Sequence, residues 1–268
     1  MNNKEKQAQR EREVLDRVRS FLRDSQCDSR FGFTEADWLE LVHVFDGLEQ
    51  NPETKYPDFY GPYGCVELFE VSSSPEGKRG GPQQKVEDGK LSKKISEEDE
   101  EASMAGDRTS RQYLCKRPKH SHDALVEHIK KQFKKHVESM SKSGQDDTVT
   151  VFVIELRDPD LECMFAPAGR SIADGVGVGD LWPVYSKGKP RGLYRLSRDK
   201  EALRRLAQHK EGVRYIIFIG PDGIEAINLG RVDALLPFIP WDLAAYGRSG
   251  FTTVSSISVA IVPEAHGE

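Results

Sequence analysis

The sequence predicts an α/β protein, in which a central mixed sheet is flanked by helices. Segments 4–24 and 122–140 carry apolar residues at helical spacing, which indicates helices with one buried stripe. Segment 146–156, DDTVTVFVIEL, is nearly continuously apolar and rich in valine, as is typical of a strand buried on both faces. Segment 213–229 has the strand, Pro-Asp-Gly turn and strand pattern of a hairpin. Helices alternating with such strands predict a layered fold.

The composition of the chain argues against several classes of protein. Of the 268 residues, 37% are hydrophobic and 31% are charged, and the formal net charge is −5. This balance argues against a uniformly basic nucleic-acid binder but leaves room for a local basic patch. The four cysteines form no CxxC pair, so we expect no structural zinc site and a reducing compartment. With neither a secretory signal nor a run of about 20 apolar residues, we expect a cytoplasmic protein that does not enter membranes.

The first 30 residues form one predicted part of the chain, a charged N-terminal helix, and residues 31–268 form the other, a single α/β domain. A second helix is predicted at 34–47. Thr34 is its expected N-cap with Asp37 three residues on, and Gly47 ends it. A turn at YGPYG then leads into a strand at 65–71.

Segment 75–112 is an expected insertion in this domain. Its eight basic residues nearly balance nine acidic ones, and apolar side chains are few. Because so polar a segment buries little surface to offset its ordering entropy, we predict that it is mobile.

The remaining elements follow the same rules. Residues 166–191 are rich in glycine and proline, which predicts a long loop. Ser197 is the expected N-cap of a helix that ends at Gly212. Alternating residues at 251–262 predict a last strand.

Two acids stand out near the first predicted strand. Glu67 lies among apolar neighbours, where a buried carboxylate needs a cation, a hydrogen-bond partner or a metal. The YGPYG turn would fold Asp58 back beside it. Two adjacent carboxylates repel each other unless they share a divalent ion, and Mg²⁺ prefers such oxygen ligands. The alternative is that Glu67 is a structural acid paired with an arginine.

The stretches PDF (57–59) and VELFEVSSS (66–74) resemble the metal-binding core of the PD-(D/E)xK superfamily, the restriction-endonuclease-like nucleases. The order of elements from 34 to 156 is similar as well. The resemblance implies a restriction-endonuclease-like layered fold in which Asp58 and Glu67 hold Mg²⁺ or Mn²⁺. It also implies hydrolysis of phosphodiester bonds in DNA or RNA, with DNA the preferred partner. A further metal-binding glutamate on the preceding helix would be Glu40 or Glu49.

One position departs from the family pattern. The superfamily carries a lysine two residues after the strand acid, where this chain has Phe69. Since that lysine migrates among family members, Lys78 or Lys85 could supply it from the insertion.

Basic residues suggest where a phosphate backbone would bind. The helix at 122–140 carries lysines four residues apart, so like charges lie next to each other on its surface. These lysines are Lys130, Lys131, Lys134 and Lys135. Phosphates would relieve this repulsion, although a solvated helix face is the other interpretation. A second basic cluster precedes that helix, at Lys116, Arg117 and Lys119. The alternative function is a catalytically inactive nuclease-fold protein, which binds a partner or nucleic acid through its insertion and basic helix.

Overall fold

The computed structural model of the chain describes residues 3–24, 29–52, 56–74, 81–105, 109–117, 120–143, 148–158, 161–167, 182–183, 193–239, 241–246 and 250–258. The helices are α1 (Asn3–Asp24), α2 (Glu35–Val44), α3 (Gly81–Ala105), α4 (His122–Ser143), α5 (Lys200–Ala207) and α6 (Val232–Leu235). The strands are β1 (Arg30–Phe31), β2 (Glu49–Gln50), β3 (Phe59–Gly61), β4 (Gly64–Val71), β5 (Thr109–Arg117), β6 (Thr150–Leu156), β7 (Glu162–Pro167), β8 (Trp182–Pro183), β9 (Val213–Gly220), β10 (Gly223–Asn228), β11 (Trp241–Tyr246) and β12 (Gly250–Ser258).

The chain divides into two compact units. The main unit comprises Met1–Ser73 and Ser121–Tyr246, and the second unit comprises Ser74–His120 and Gly247–Glu268. The sequence alone predicts one domain over 31–268. The alternating pattern of β12 identifies a strand but not its partner, which is β5 of the second unit.

A seven-stranded mixed sheet forms the centre of the main unit, in the order β1-β10-β9-β6-β4-β3-β2. Strands β4, β6 and β9 are parallel neighbours, whereas β2, β3 and β4 form an antiparallel meander. The crossover from β4 to β6 includes α4, as a parallel pair requires. The predicted α/β class and the predicted hairpin of β9 and β10 are both confirmed. A separate three-stranded sheet has the order β11-β7-β8.

Helices cover both faces of the seven-stranded sheet. On one face, α4 and α5 pack on Phe69, Phe152 and Phe218. On the other, α1 and α2 pack on alternate residues of the same strands, which are Val66, Val151, Val153, Tyr215 and Ile217. Because side chains alternate along a strand, each strand contributes to both cores.

Helix caps follow the sequence at α2 and depart from it at α5. Thr34 Oγ1 accepts the Asp37 N–H at 3.2 Å, and the Asp37 carboxylate accepts the Thr34 N–H at 3.0 Å, as predicted. At α5 the cap is Asp199, whose side chain accepts the Ala202 N–H, and the expected cap Ser197 lies in a preceding 3₁₀ turn. Both residue types cap helices well, so composition alone could not choose between them.

The N-terminal helix is fixed to the sheet by an ionic cluster as well as by its apolar stripe. Val14, Val18 and Leu22 are buried. Arg10 pairs with Glu70 and with Glu155, residues that lie opposite each other on parallel β4 and β6.

The second unit contains regular structure where the sequence predicts a mobile insertion. Its α3 spans Gly81–Ala105, and β5 pairs with β12 over Thr109–Arg117. Lys93–Glu97 and Lys94–Glu98 form ion pairs one helical turn apart, so the balanced charges support a helix here. The mobility of the segment stays a prediction.

Two further findings complete the fold. The predicted loop at 166–191 lies outside the described residues, except that residues 166–167 and 182–183 belong to β7 and β8. Within the part of the chain that the structure describes, no helix is both long and apolar enough to cross a bilayer.

Candidate active site

Asp58 and Glu67 lie side by side because β3 and β4 form a hairpin. Phe59 pairs with Val66, so the next pair outward along the register is Asp58 with Glu67. The Asp58 N–H donates to Glu67 Oε2 at 3.1 Å, and the Leu68 N–H donates to Asp58 Oδ2 at 2.7 Å. Each carboxylate is therefore held by backbone next to the other.

Glu67 shares the α4-facing side of β4 with Phe69, and α4 supplies its partner. His136 Nδ1 lies 2.6 Å from Glu67 Oε1, and the two side chains are 16% and 8% exposed. The His136 ring also stacks on Phe69, with centroids 4.5 Å apart and an interplanar angle of 11°. The acid of this apolar strand face is thus bound by a histidine rather than by an arginine.

Burial and the neighbouring Glu67 both perturb the protonation of Asp58. Burial, the charge of Glu67 and the charge of Glu11 raise the pKa of Asp58 to about 7, although the bond from Leu68 N–H opposes the shift. Glu11 lies on α1, where its Oε2 accepts a bond from Gln50 Nε2 at 2.9 Å. Asp58 is therefore only partly ionised at neutral pH.

Among the described residues, no lysine or arginine forms an ion pair with Asp58 or Glu67. The same described part of the chain holds no group of three or more His, Cys, Asp or Glu residues arranged to bind a metal ion. The pair is thus a site with two carboxylates and one histidine partner, rather than a closed cage of ligands.

Neither of the two candidate glutamates for a third ligand joins this pair. Glu40 lies on α2, across the sheet from Glu67, where it pairs with Arg214 at 2.8 Å and accepts the Tyr215 hydroxyl. Glu49 is exposed on β2, opposite Tyr60. The helical spacing placed Glu40 on α2 correctly but could not reveal which sheet face α2 covers.

The predicted basic residues before α4 belong to the second unit. Lys85 lies on α3, and Lys116 and Arg117 lie on β5, with side chains outside the described residues. Lys78 and Lys119 lie wholly outside them.

The four predicted lysines of α4 lie on its solvent side. Lys131, Lys134 and Lys135 are exposed, and the Lys130 side chain is one-third exposed. Lys130 pairs with Glu127 at 3.2 Å, and Lys134 lies 4.0 Å from Glu138. The helix that presents His136 to Glu67 therefore carries this basic run on its other side.

Sequence reasoning missed His136 and Glu11. His136 lies three residues after Phe133 of the α4 stripe and one before Val137, so it sits at the margin of the buried side. Glu11 similarly lies three residues before Val14 of the α1 stripe. A search for titratable residues at the margin of each apolar stripe could have found both.

Comparisons of this chain with protein-family models, with curated proteins and with solved structures found no match.

Proposed function

We propose that the main unit is a metal-dependent nuclease that hydrolyses phosphodiester bonds of DNA or RNA, with Asp58 and Glu67 as its metal ligands. One observation carries the proposal: two neighbouring buried or half-buried carboxylates lie together, and among the described residues their one basic side-chain partner is His136, with no lysine or arginine. Such a pair is costly unless a cation relieves it.

The donor set fits a magnesium or manganese ion. Mg²⁺ usually keeps several waters and is bound by one or two carboxylates together with substrate phosphates, so a closed cage is not required. Asp58 Oδ1 has no hydrogen-bond partner among the described residues, and the oxygens of Glu67 each accept one bond, which leaves a further lone pair on each. When bound, the ion would lower the pKa of a water and neutralise charge on the phosphate oxygens.

The chain's own residues have separate tasks in this proposal. Asp58 and Glu67 bind the ion, while the Leu68 N–H and His136 hold their carboxylates in place. Lysines on the solvent side of α4 bind the phosphate backbone, which contributes affinity without sequence choice.

The order of elements supports the finer proposal of a restriction-endonuclease-like fold. A helix, a strand pair carrying both acids, a helix and a buried parallel strand follow in the order of the resemblance.

The deciding experiment measures cleavage of plasmid, linear and single-stranded DNA and of RNA, with Mg²⁺, Mn²⁺ or EDTA. Asp58→Asn and Glu67→Gln should each abolish cleavage while retaining the fold. Glu49→Gln is the matched control, because it removes an exposed acid on the neighbouring β2 and should cleave as wild type does.

Metal binding is checked separately by thermal shift. Wild-type protein should gain stability as Mg²⁺ or Mn²⁺ is added, since the ion binds the folded form, and the two ligand variants should not. A wild type without any metal-dependent shift would refute the nuclease proposal and leave Glu67 as a structural acid.

One observation favours the second candidate, an inactive nuclease-fold module. The position two residues after Glu67 holds Phe69, whose ring is buried against His136, so no lysine ammonium is supplied there. Nucleic-acid binding without cleavage under any metal would support this module.

A further inference from the structure

Phe69 and His136 form one packed unit behind Glu67. The two rings are nearly parallel at 4.5 Å between centroids, and Phe152 contacts both rings edge-on, at 5.7 Å from Phe69 and 6.4 Å from His136. Phe69 is 7% exposed and Phe152 is fully buried. The imidazole is therefore held on one side by a stacked ring and on another by an edge.

This packing aims one nitrogen at one carboxylate oxygen. His136 Nδ1 lies 2.6 Å from Glu67 Oε1, which is a short hydrogen-bond contact. A carboxylate that holds a metal ion is ionised and only accepts, so Nδ1 would carry the hydrogen of this bond in the metal-bound state. Glu67 Oε2 meanwhile accepts the Asp58 N–H at 3.1 Å. Both oxygens of Glu67 are thus fixed, from the helix and from the neighbouring strand.

We propose that His136 is a positioning residue, which orients the Glu67 carboxylate toward a divalent cation, and that Phe69 is the platform that orients His136. This inference rests on the proposed metal-binding function. Phe69 occupies the position where the family pattern has a lysine. In this proposal its ring fixes the orientation of His136.

Hydrogen-bond partners of metal ligands measurably affect the affinity for the metal. Removing one usually weakens binding by about 10–100-fold, because the ligand then has more orientations to lose. A side chain that only filled the core would leave the affinity unchanged when replaced by an apolar group of similar size.

The position of the donor allows a sharp test. In asparagine the amide nitrogen is bonded to Cγ, as Nδ1 is in histidine, whereas in glutamine it lies one bond farther out. His136→Asn can therefore replace the donor to Glu67, His136→Gln places it elsewhere, and His136→Leu removes it. Phe69→Leu keeps the histidine but removes the stacked ring.

We would titrate the 268-residue chain and each variant with Mn²⁺ by isothermal calorimetry, and would check folding by circular dichroism in EDTA. His136→Leu should bind Mn²⁺ roughly 10–100-fold more weakly than wild type, and His136→Asn should recover most of that loss. His136→Gln should not recover it, and Phe69→Leu should lose affinity by a smaller factor.

The outcomes separate the two proposals. Wild-type Mn²⁺ affinity in a folded His136→Leu variant would overturn the positioning role and leave the metal site intact. Equal recovery by asparagine and glutamine would also overturn it, since the position of the donor would then not matter. Failure of the wild type to bind Mn²⁺ would overturn the proposed function and this inference with it.

Discussion

At the scale of single residues, Asp58 couples stability to pH. Its pKa is raised from 3.8 to about 7, first by burial and then by Glu67. Between these values the folded state holds a proton that the unfolded state has lost, so stability falls as pH rises toward 7. Asp58→Asn has no such titration. Without metal, we compare the melting temperature of Asp58→Asn with that of wild type at each pH. The difference, variant minus wild type, should be larger at pH 8 than at pH 5 by roughly 2–6 °C.

Thermal unfolding in EDTA at both pH values checks this prediction. The Asp58→Asn variant retains a side-chain oxygen for the Leu68 N–H, whereas Asp58→Ala removes that acceptor. The alanine control should lose about 1–2 kcal/mol at pH 5, where the asparagine variant should not. A difference between wild type and Asp58→Asn that is the same at both pH values would contradict the raised pKa.

The raised pKa of His122 changes stability with pH in the same direction. Its Nε2 lies 2.8 Å from Asp199 Oδ2, which also accepts the Tyr194 hydroxyl at 2.7 Å. Burial lowers the pKa of His122, but the bond and charge of Asp199 outweigh it, so the pKa is raised above 6.5. The resulting stability is fully present below pH 6.5 and is lost as pH rises through the folded-state value.

We therefore expect the stability difference between wild type and His122→Gln to be largest at pH 5.5. It should shrink as pH rises above 6.5, in urea unfolding followed by fluorescence. His209→Gln is the control, because His209 forms only a backbone bond among the described residues, to Leu206. A difference that does not change with pH would show that Asp199 does not favour the charged imidazole.

At the scale of elements, the docking of α1 depends on Arg10. This guanidinium lies between Glu70 and Glu155, whose side chains are 18% and 22% exposed. Among the described residues, Glu70 in Arg10→Ala would keep only its ion pair with Arg157, and Glu155 would keep only its ion pair with Arg17. We expect a loss of about 1–3 kcal/mol in urea unfolding, because partly buried charges lose a partner.

Arg12→Ala is the matched control for α1. Arg12 is exposed, and its side chain bonds only to the Ala8 carbonyl of the same helix in the described structure. That variant should change stability by less than about 0.5 kcal/mol. Equal effects of the two substitutions would mean that the apolar stripe alone holds α1 to the sheet.

The lysines of α4 give the second prediction at this scale. Changing Lys134 and Lys135 to glutamine should weaken nucleic-acid binding and reduce its salt dependence, because phosphate contacts release counterions. Lys93 and Lys94 are the control pair, with the same charge change on α3, where they pair with Glu97 and Glu98. If binding affinity depends on salt concentration with the same slope in wild type and in the α4 variant, these lysines do not contact phosphates. The solvent side of α4 is then an ordinary solvated surface.

The elements also show what the sequence can and cannot predict. Thr34 and Asp37 are close in the chain, so their capping box was predictable, as was the turn that joins β9 to β10. The pairing of Asp58 with Glu67 followed from the hairpin turn. The contact of His136 with Glu67 spans 69 residues and depends on how α4 lies on the sheet, which local periodicity does not specify.

At the scale of the whole molecule, the main unit should fold without the insertion. Among the described residues, both large hydrophobic clusters consist only of main-unit side chains. The Ser121 N–H donates to the Ser73 carbonyl at 3.0 Å, so the insertion leaves and re-enters at neighbouring points. A chain in which a short Gly-Ser linker replaces 74–120, and which ends at Tyr246, should unfold cooperatively in urea.

Deletion of α5 is the control for this truncation. Leu203 and Leu206 of α5 are fully buried in the core, so their loss should prevent cooperative folding. A truncated main unit that lacks a cooperative transition would show that the second unit is needed for the sheet to form.

The bond between Ser121 and Ser73 bears on how the length of the chain between them affects folding. The entropy lost in closing a flexible loop grows only with the logarithm of its length, so doubling the length costs about 0.6 kcal/mol. That is less than a typical net hydrogen bond of about 1 kcal/mol. Whatever structure lies between these two serines, the sheet is therefore expected to tolerate large changes in its length at small thermodynamic cost.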